Sequence, residues 1–101
     1  MNQKVTMKEI PSADRPYEKC LTQGARFLTD EELLAVIIRT GSKDATSLEL
    51  ARSILALEGH GTRLLGLLHH SLKDYCRIKG IGMVKGAQLM CIGELSRRIW
   101  N

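Results

Sequence analysis

The chain has 101 residues, of which 44% are hydrophobic and only 4% aromatic. That length suits one small domain, and the core it can bury is aliphatic, drawn from Leu, Ile, Val, Ala and Met. No stretch approaches the roughly 18 apolar residues of a membrane span. The polar start, Met1 to Ser12, lacks the apolar centre of a signal peptide, so a cytoplasmic protein with no membrane partner is expected. Cys20, Cys76 and Cys91 are odd in number and fit no CxxC spacing. This argues against a disulfide framework or a zinc site and for buried or partly buried free thiols. The formal net charge is +4, and its distribution is uneven. Residues 1–70 hold nine Lys/Arg and nine Asp/Glu. Residues 71–101 hold six (Lys73, Arg77, Lys79, Lys85, Arg97, Arg98) against two (Asp74, Glu94). Such asymmetry points to a polyanion-facing end, with a solvated basic face as the competing explanation.

Residues 1–14 read as a flexible lead-in to a single helical domain over 15–101. Pro11 and Pro16 push their predecessors toward extended backbone. A short helical turn is expected around Pro16 to Leu21, with Gly24 ending it. Thr29 followed by Glu32 is a capping-box pattern. Leu33, Leu34, Ile37 and Ile38 then give an apolar face at helical spacing, with Gly41 as the expected C-terminal glycine. Thr46 and Glu49 repeat the cap ahead of Leu50, Ala51, Ile54, Leu55 and Leu57, and Gly59-His60-Gly61 breaks that helix. A short apolar helix, Arg63 to Leu68, follows. Ser71 and Asp74 cap another short helix through Leu72 and Tyr75 to about Arg77.

A long final helix is expected from about Met83 to Ile99. Its expected apolar stripe is Val84, Ala87, Cys91, Leu95 and Ile99. Gly86 and Gly93 lie within it, each costing ~1 kcal/mol against Ala unless something compensates. Spaced by seven, they share a face, and close packing there would explain them. No segment alternates with period two. The fold class is therefore all-α, with about five helices. Leu33 to Leu57 and Leu72 to Ile99 both read as helix, glycine-containing turn, helix. The chain thus reads as a tandem helix-hairpin-helix-like bundle: residues 15–61 a degenerate first unit, 62–70 a connector, 71–101 the second unit. The first unit has one turn glycine, Gly41, where the second has two.

The stretch Ile78-Lys79-Gly80-Ile81-Gly82-Met83-Val84-Lys85 carries the chemistry. A tight reversal between helices needs residues that tolerate positive φ and close backbone approach, as glycine does. Ile81 between the glycines can turn inward and pin the hairpin. The helix beginning near Met83 presents unpaired N–H groups and a positive dipole end. Together these aim several donors at one point, which suits a phosphate. Lys79 and Lys85 add charge on either side. Gly80, Ile81, Gly82, Met83 and Val84 supply backbone donors, with Arg77, Arg97 and Arg98 as additional contact candidates. Such a site recognises an anion without reading bases, so the expected partner is the DNA backbone, bound weakly and non-specifically. The competing explanation is a tight turn that only packs. A Walker A loop is excluded because no Gly-Lys-Ser/Thr follows, and a dinucleotide fingerprint because no strand precedes the glycines.

Other chemistry-bearing residues point elsewhere. His69-His70 have no nearby Asp, Glu or Cys that makes a ligand set and read as a surface or connector pair. Asp30-Glu31-Glu32 fit a helix N-terminus, which attracts acids. Arg97-Arg98 with Trp100 could grip nucleic acid, but a helix C-terminus favours arginine in any case. No nucleophile, base and orienter can be assembled, so no enzyme activity, cofactor or metal is expected of this chain.

The residues from about Ile10 to Ile99 resemble the N-terminal domain of the RadC-like (UPF0758) family of bacterial DNA repair proteins. The resemblance is carried by Arg15-Pro16 with Glu18-Lys19, then Gly24. It continues through Leu28-Thr29-Asp30-Glu31-Glu32-Leu33-Leu34-Ala35 and Arg39-Thr40-Gly41, then Leu50-Ala51 and Ile54-Leu55. It ends on Ile78-Lys79-Gly80-Ile81-Gly82 with Lys85, Ala87, Leu89, Glu94, Leu95, Arg97 and Arg98. The resemblance implies a helix-hairpin-helix end and a role in DNA repair. It also implies a following JAMM-type (MPN-like) domain with a zinc-ligating His-x-His and a downstream Asp, a pattern this chain lacks. The chain then reads as a domain cut before the metal domain, or as a naturally short relative, and implied hydrolase activity lies outside it. The family's hairpin often has proline where this chain has Met83, and Gly86 stands where alanine is commoner. Met83 forgoes proline's preorganised helix start. An alternative role is a protein-interaction or regulatory domain for the adjoining JAMM-type metalloprotease-like domain.

Overall fold

Three helix starts are built by the caps legible in the sequence. Thr29 Oγ1 accepts from the Glu32 N–H at 3.1 Å, and Glu32 Oε1 accepts from the Thr29 N–H at 2.9 Å. Thr46 and Glu49 repeat this at 3.1 and 2.9 Å. Ser71 and Asp74 do so at 3.2 and 2.8 Å. Each box satisfies two backbone donors that the first helical turn would leave open. The computed structural model describes residues 15–59 and 63–100; the lead-in over 1–14 and His60-Gly61 lie outside them. The described residues form helices α1 (Arg15–Gln23), α2 (Asp30–Ile38), α3 (Ser47–Ala56), α4 (Arg63–Gly66), α5 (Leu72–Tyr75) and α6 (Met83–Trp100). A 3₁₀ turn covers Ala25–Phe27. No strand occurs among the described residues, so the chain is all-α, with six helices described where about five were expected.

The core joins the front and back of the chain. Leu34, Ala35 and Ile38 of α2 meet Leu50, Ala51, Ile54 and Leu55 of α3, and the cluster is completed by Tyr75, Ile81 and Leu89. α1 packs on α2, α2 on α3, and α5 on α6. Burying each Leu or Ile stabilises by about 1.5–3 kcal/mol. Gly24 ends α1 as expected: its φ is 99°, and its N–H donates to the Cys20 carbonyl at 2.9 Å.

Four expectations need correction. Gly41 does not terminate α2. Arg39 takes that place with φ 65°, its N–H donating to the Ala35 carbonyl. Gly41 is required for a different reason: a methyl group there would collide with the Ala45 carbonyl oxygen and lie 2.8 Å from Thr46 Cα. The stripe Val84, Ala87, Cys91, Leu95 and Ile99 of α6 faces outward, and all five are exposed. The buried face is Gly86, Leu89 and Gly93. Periodicity alone does not say which side of a helix is apolar enough to be covered; here close approach decides, and small residues mark it. Cys76 and Cys91 are exposed and only Cys20 is partly buried, so two of the three thiols are not shielded as expected. His70 is buried, with Nδ1 3.6 Å from Asp74 Oδ2 and its ring edge-on to Tyr75 at 5.5 Å. The histidine pair therefore does have a carboxylate neighbour, four residues along. No group of three or more metal-ligating side chains forms among the described residues.

The acids opening α2 are structural in this arrangement. Glu32 is held below its ordinary range first by the Thr29 N–H and then by Lys19, whose Nζ sits 3.1 Å away. Glu31 is lowered first by Arg63, which it meets at 2.8 Å. A carboxylate lowered in the folded state adds stability that is present above its unfolded pKa and lost as pH falls through the folded one. Tm should therefore decline as pH is taken below about 4.5, the ordinary value for Glu32. Glu32→Gln should flatten that decline. A thermal melt series at stepped pH checks both; an equally steep acid loss in the variant would contradict the assignment.

Candidate nucleic-acid interface

The turn between α5 and α6 is organised from its backbone outward. Gly80 adopts φ 99°, a region that disfavours side chains. The Ile81 N–H donates to the Ile78 carbonyl at 3.0 Å, closing the reversal. Ile81 itself is 4% exposed and belongs to the core, so it pins the turn as the sequence indicated. α6 begins immediately after Gly82, and the Gly86 N–H donates to the Gly82 carbonyl at 2.9 Å. The amides of Met83, Val84 and Lys85 occupy the first turn, where no preceding carbonyl is in register.

This start differs from three others in the same molecule. α2, α3 and α5 each have a Ser or Thr cap and an acid in the first turn. α6 has no acid there, and Gly82 has no side chain with which to cap. A methyl at Gly82 would meet nothing within 4 Å, and Met83 and Val84 are exposed. The positive end of the longest helix is thus left open to solvent, with Lys85 beside it.

The turn preceding α3 lies directly against it. A methyl at Gly80 would sit 2.9 Å from both Ser42 Oγ and Leu50 Cδ2. Lys79 Nζ lies 3.4 Å from Asp44 Oδ2, and Lys85 Nζ donates to Thr40 Oγ1 at 3.3 Å. Lys43, on the same turn, is exposed. Lys43, Lys79 and Lys85 therefore belong to two adjoining turns. Thr40, Ser42, Lys43 and Asp44 were not singled out from sequence. The repeat signal held the clue, since equivalent turns of paired hairpins are apt to meet. The two helix starts are not equivalent, however. Glu49 fills the first turn of α3 as its own capping anion, whereas the start of α6 has no acid of its own.

The three candidate arginines are each engaged with an acid. Arg77 meets Asp74 at 3.4 Å. Arg97 and Arg98 both contact Glu94, at 2.9 Å each, and Arg97 also donates to the Leu68 carbonyl. At 1.5 Å per residue they lie about 20 Å along α6 from Met83. Glu94 is held below its ordinary range, first by Arg98 and then by Arg97.

A model of the UPF0758 N-terminal domain matches residues 7–87. The chain belongs to the UPF0758 family. A UPF0758 protein of Alkaliphilus oremlandii is 40% identical over 95 residues, covering 94% of this chain and 40% of that protein. One from Clostridium perfringens is 42% identical over 98 residues, covering 97% and 42%. One from Saccharophagus degradans is 44% identical over 94 residues, covering 93% and 41%. The chain thus spans about two fifths of the length of these UPF0758 relatives. No solved structure matches it. No helix among the described residues is long and apolar enough to cross a membrane.

Proposed function

We propose that this UPF0758 domain is a non-specific DNA-binding accessory module that grips the phosphate backbone at the start of α6, in the manner of a helix-hairpin-helix unit. One observation carries the reading: α2, α3 and α5 each have a capping side chain and a first-turn acid, and α6, flanked by Lys79 and Lys85, has neither. Backbone amides of Gly82 to Lys85 take a phosphate oxygen, and the two lysines add charge. The α3 turn contributes Lys43 from the side, while its own helix start stays closed by Glu49. Arg97 and Arg98, far along α6 and sharing Glu94, contribute at most long-range attraction, while Arg77 is paired with Asp74 at 3.4 Å much as Lys79 is with Asp44 and adds a flanking contact. With about three or four phosphates engaged, log K should fall with log salt at a slope near −3, from a weak Kd on the order of 10⁻⁴–10⁻⁶ M.

Gly82→Asp tests this reading with two readouts of opposite sign. Aspartate is a better cap than glycine by a few tenths of a kcal/mol, and an acid suits the dipole. Tm should rise by about 2–4 °C. The same carboxylate takes the place of the phosphate, so duplex affinity should drop about tenfold or more. Unchanged affinity in a fluorescence anisotropy titration would overturn the site.

A second reading, an interaction domain for an adjoining domain of the full-length protein, is favoured by the outward apolar face of α6.

A further inference from the structure

Among the described residues, α6 is covered on one side only. Gly86 and Gly93 bring that side against α5 and the 67–70 turn. The opposite side carries Val84, Ala87, Cys91, Leu95 and Ile99, all exposed, with Leu95 at 61% and Ile99 at 82%. Monomeric soluble domains rarely leave so long an apolar stripe to water. Beside it opens a cavity of about 440 Å³, lined in part by His70, Met90, Cys91 and Arg97. Stripe and cavity meet at Cys91, so the apolar surface has a socket along its flank, beside Met90. Arg98, seven residues after Cys91, shares a single carboxylate, Glu94, with Arg97, so the charge around the stripe's C-terminal half is net positive.

We propose that this outward α6 face is the docking surface for the remaining portion of a full-length UPF0758 protein, which meets it with an apolar patch rimmed by acids. The relatives carry about 60% of their length outside the part this chain matches, so a covalently linked occupant is available in them. Tethering supplies an effective concentration near the millimolar range without any gain in intrinsic affinity. That net positive charge selects an acidic complement. A second copy of this chain fits less well. Antiparallel pairing about Cys91 sets Arg98, seven residues after it, opposite Val84, seven before it, so a guanidinium meets an apolar side chain at both ends of the contact. The proposal rests on the family assignment and on the α6 face, and is independent of DNA binding at the other side of the turn.

Cys91 and Cys76 provide the test, because both are exposed but only Cys91 lies on the stripe. The chain is joined at its C-terminus to the unmatched portion of the Clostridium perfringens relative, and in parallel to that of the Alkaliphilus oremlandii relative. N-ethylmaleimide labelling is followed peptide by peptide by mass spectrometry. Relative to the chain alone, Cys91 labelling should slow by tenfold or more, with Cys76 unchanged as the marker of a native α5–α6 contact. Leu95→Glu, at an exposed position, should restore the fast rate. Lys79→Ala with Lys85→Ala should leave Cys91 protection intact, which separates this proposal from the DNA reading. Equal Cys91 rates in the free chain and both fusions would overturn it. So would protection of Cys91 in the chain alone that grows with protein concentration, which would mean a second copy covers the face.

Discussion

Replacing Lys79 and Lys85 together by Ala is expected to weaken duplex DNA binding by tenfold to a hundredfold near 0.1 M salt, with helical content unchanged. Each phosphate contact contributes a salt slope of about −0.9, so losing two should bring the slope from near −3 to between −1 and −1.5. Both side chains reach solvent from the edges of the turn, Lys79 with 86% of its side chain exposed. The core residues of the turn, Ile78 and Ile81, are untouched by the change. Stability should therefore move by less than about 0.5 kcal/mol. Lys79 does not stand idle in the free protein: Asp44 lies 3.4 Å away and competes for it. An exposed pair of this kind contributes under about 1 kcal/mol, so Asp44→Asn should tighten binding by a few-fold at most. The two variants thus move affinity in opposite directions through the same ammonium group. A double substitution that leaves both affinity and salt slope unaltered would remove the phosphate site from this turn.

Gly93→Ala should be the most damaging glycine-to-alanine substitution within α6. A methyl at that position collides with the carbonyl oxygen of Leu67, with the carbonyl carbon 3.2 Å away. The obstacle is backbone, in a turn held by the His69 and His70 N–H groups donating to the Gly66 carbonyl. It cannot rotate aside as a side chain would, so α6 must move off the 67–70 turn. Overpacking of this kind costs typically 1–3 kcal/mol, against which alanine's better helix propensity returns ~1. The net loss should lower Tm by roughly 4–8 °C for each kcal/mol lost. Gly86→Ala is the informative contrast. There the methyl meets Leu72 Cδ1, the end of a flexible side chain. A small shift of Leu72 relieves it, and the propensity gain should leave stability near or above that of the parent. Comparable losses at both positions in a thermal melt would contradict the distinction between backbone and side-chain contact.

These two cases also show what was legible in the sequence. The caps were readable because each needs only two residues at fixed spacing, and Thr29/Glu32, Thr46/Glu49 and Ser71/Asp74 all form as written. Gly80 and Ile81 were readable because the turn's demands are local. The orientation of α6 was not. Its outward stripe has a cleaner hydrophobic spacing than its buried side, which is mostly glycine and leucine. Hydrophobicity scored the wrong face, while the glycine pair scored the right one. The end of α2 was misplaced for a related reason. Arg39 takes the positive φ that Gly41 was expected to take, and its guanidinium lies over the Tyr17 ring at 4.0 Å. That contact comes from α1 and has no signature within the local segment. The proximity of Asp44 to Lys79 and of Thr40 to Lys85 likewise depends on how the two turns meet, which spacing along the chain does not encode.

The proposed phosphate site is tested most directly by a ¹⁵N NMR titration of the chain with duplex DNA at two salt concentrations. Saturable shifts should cluster on the amides of Lys79 to Lys85, with weaker ones at Lys43, and should shrink at the higher salt. Shifts absent from this turn, or insensitive to salt, would contradict phosphate binding at the start of α6.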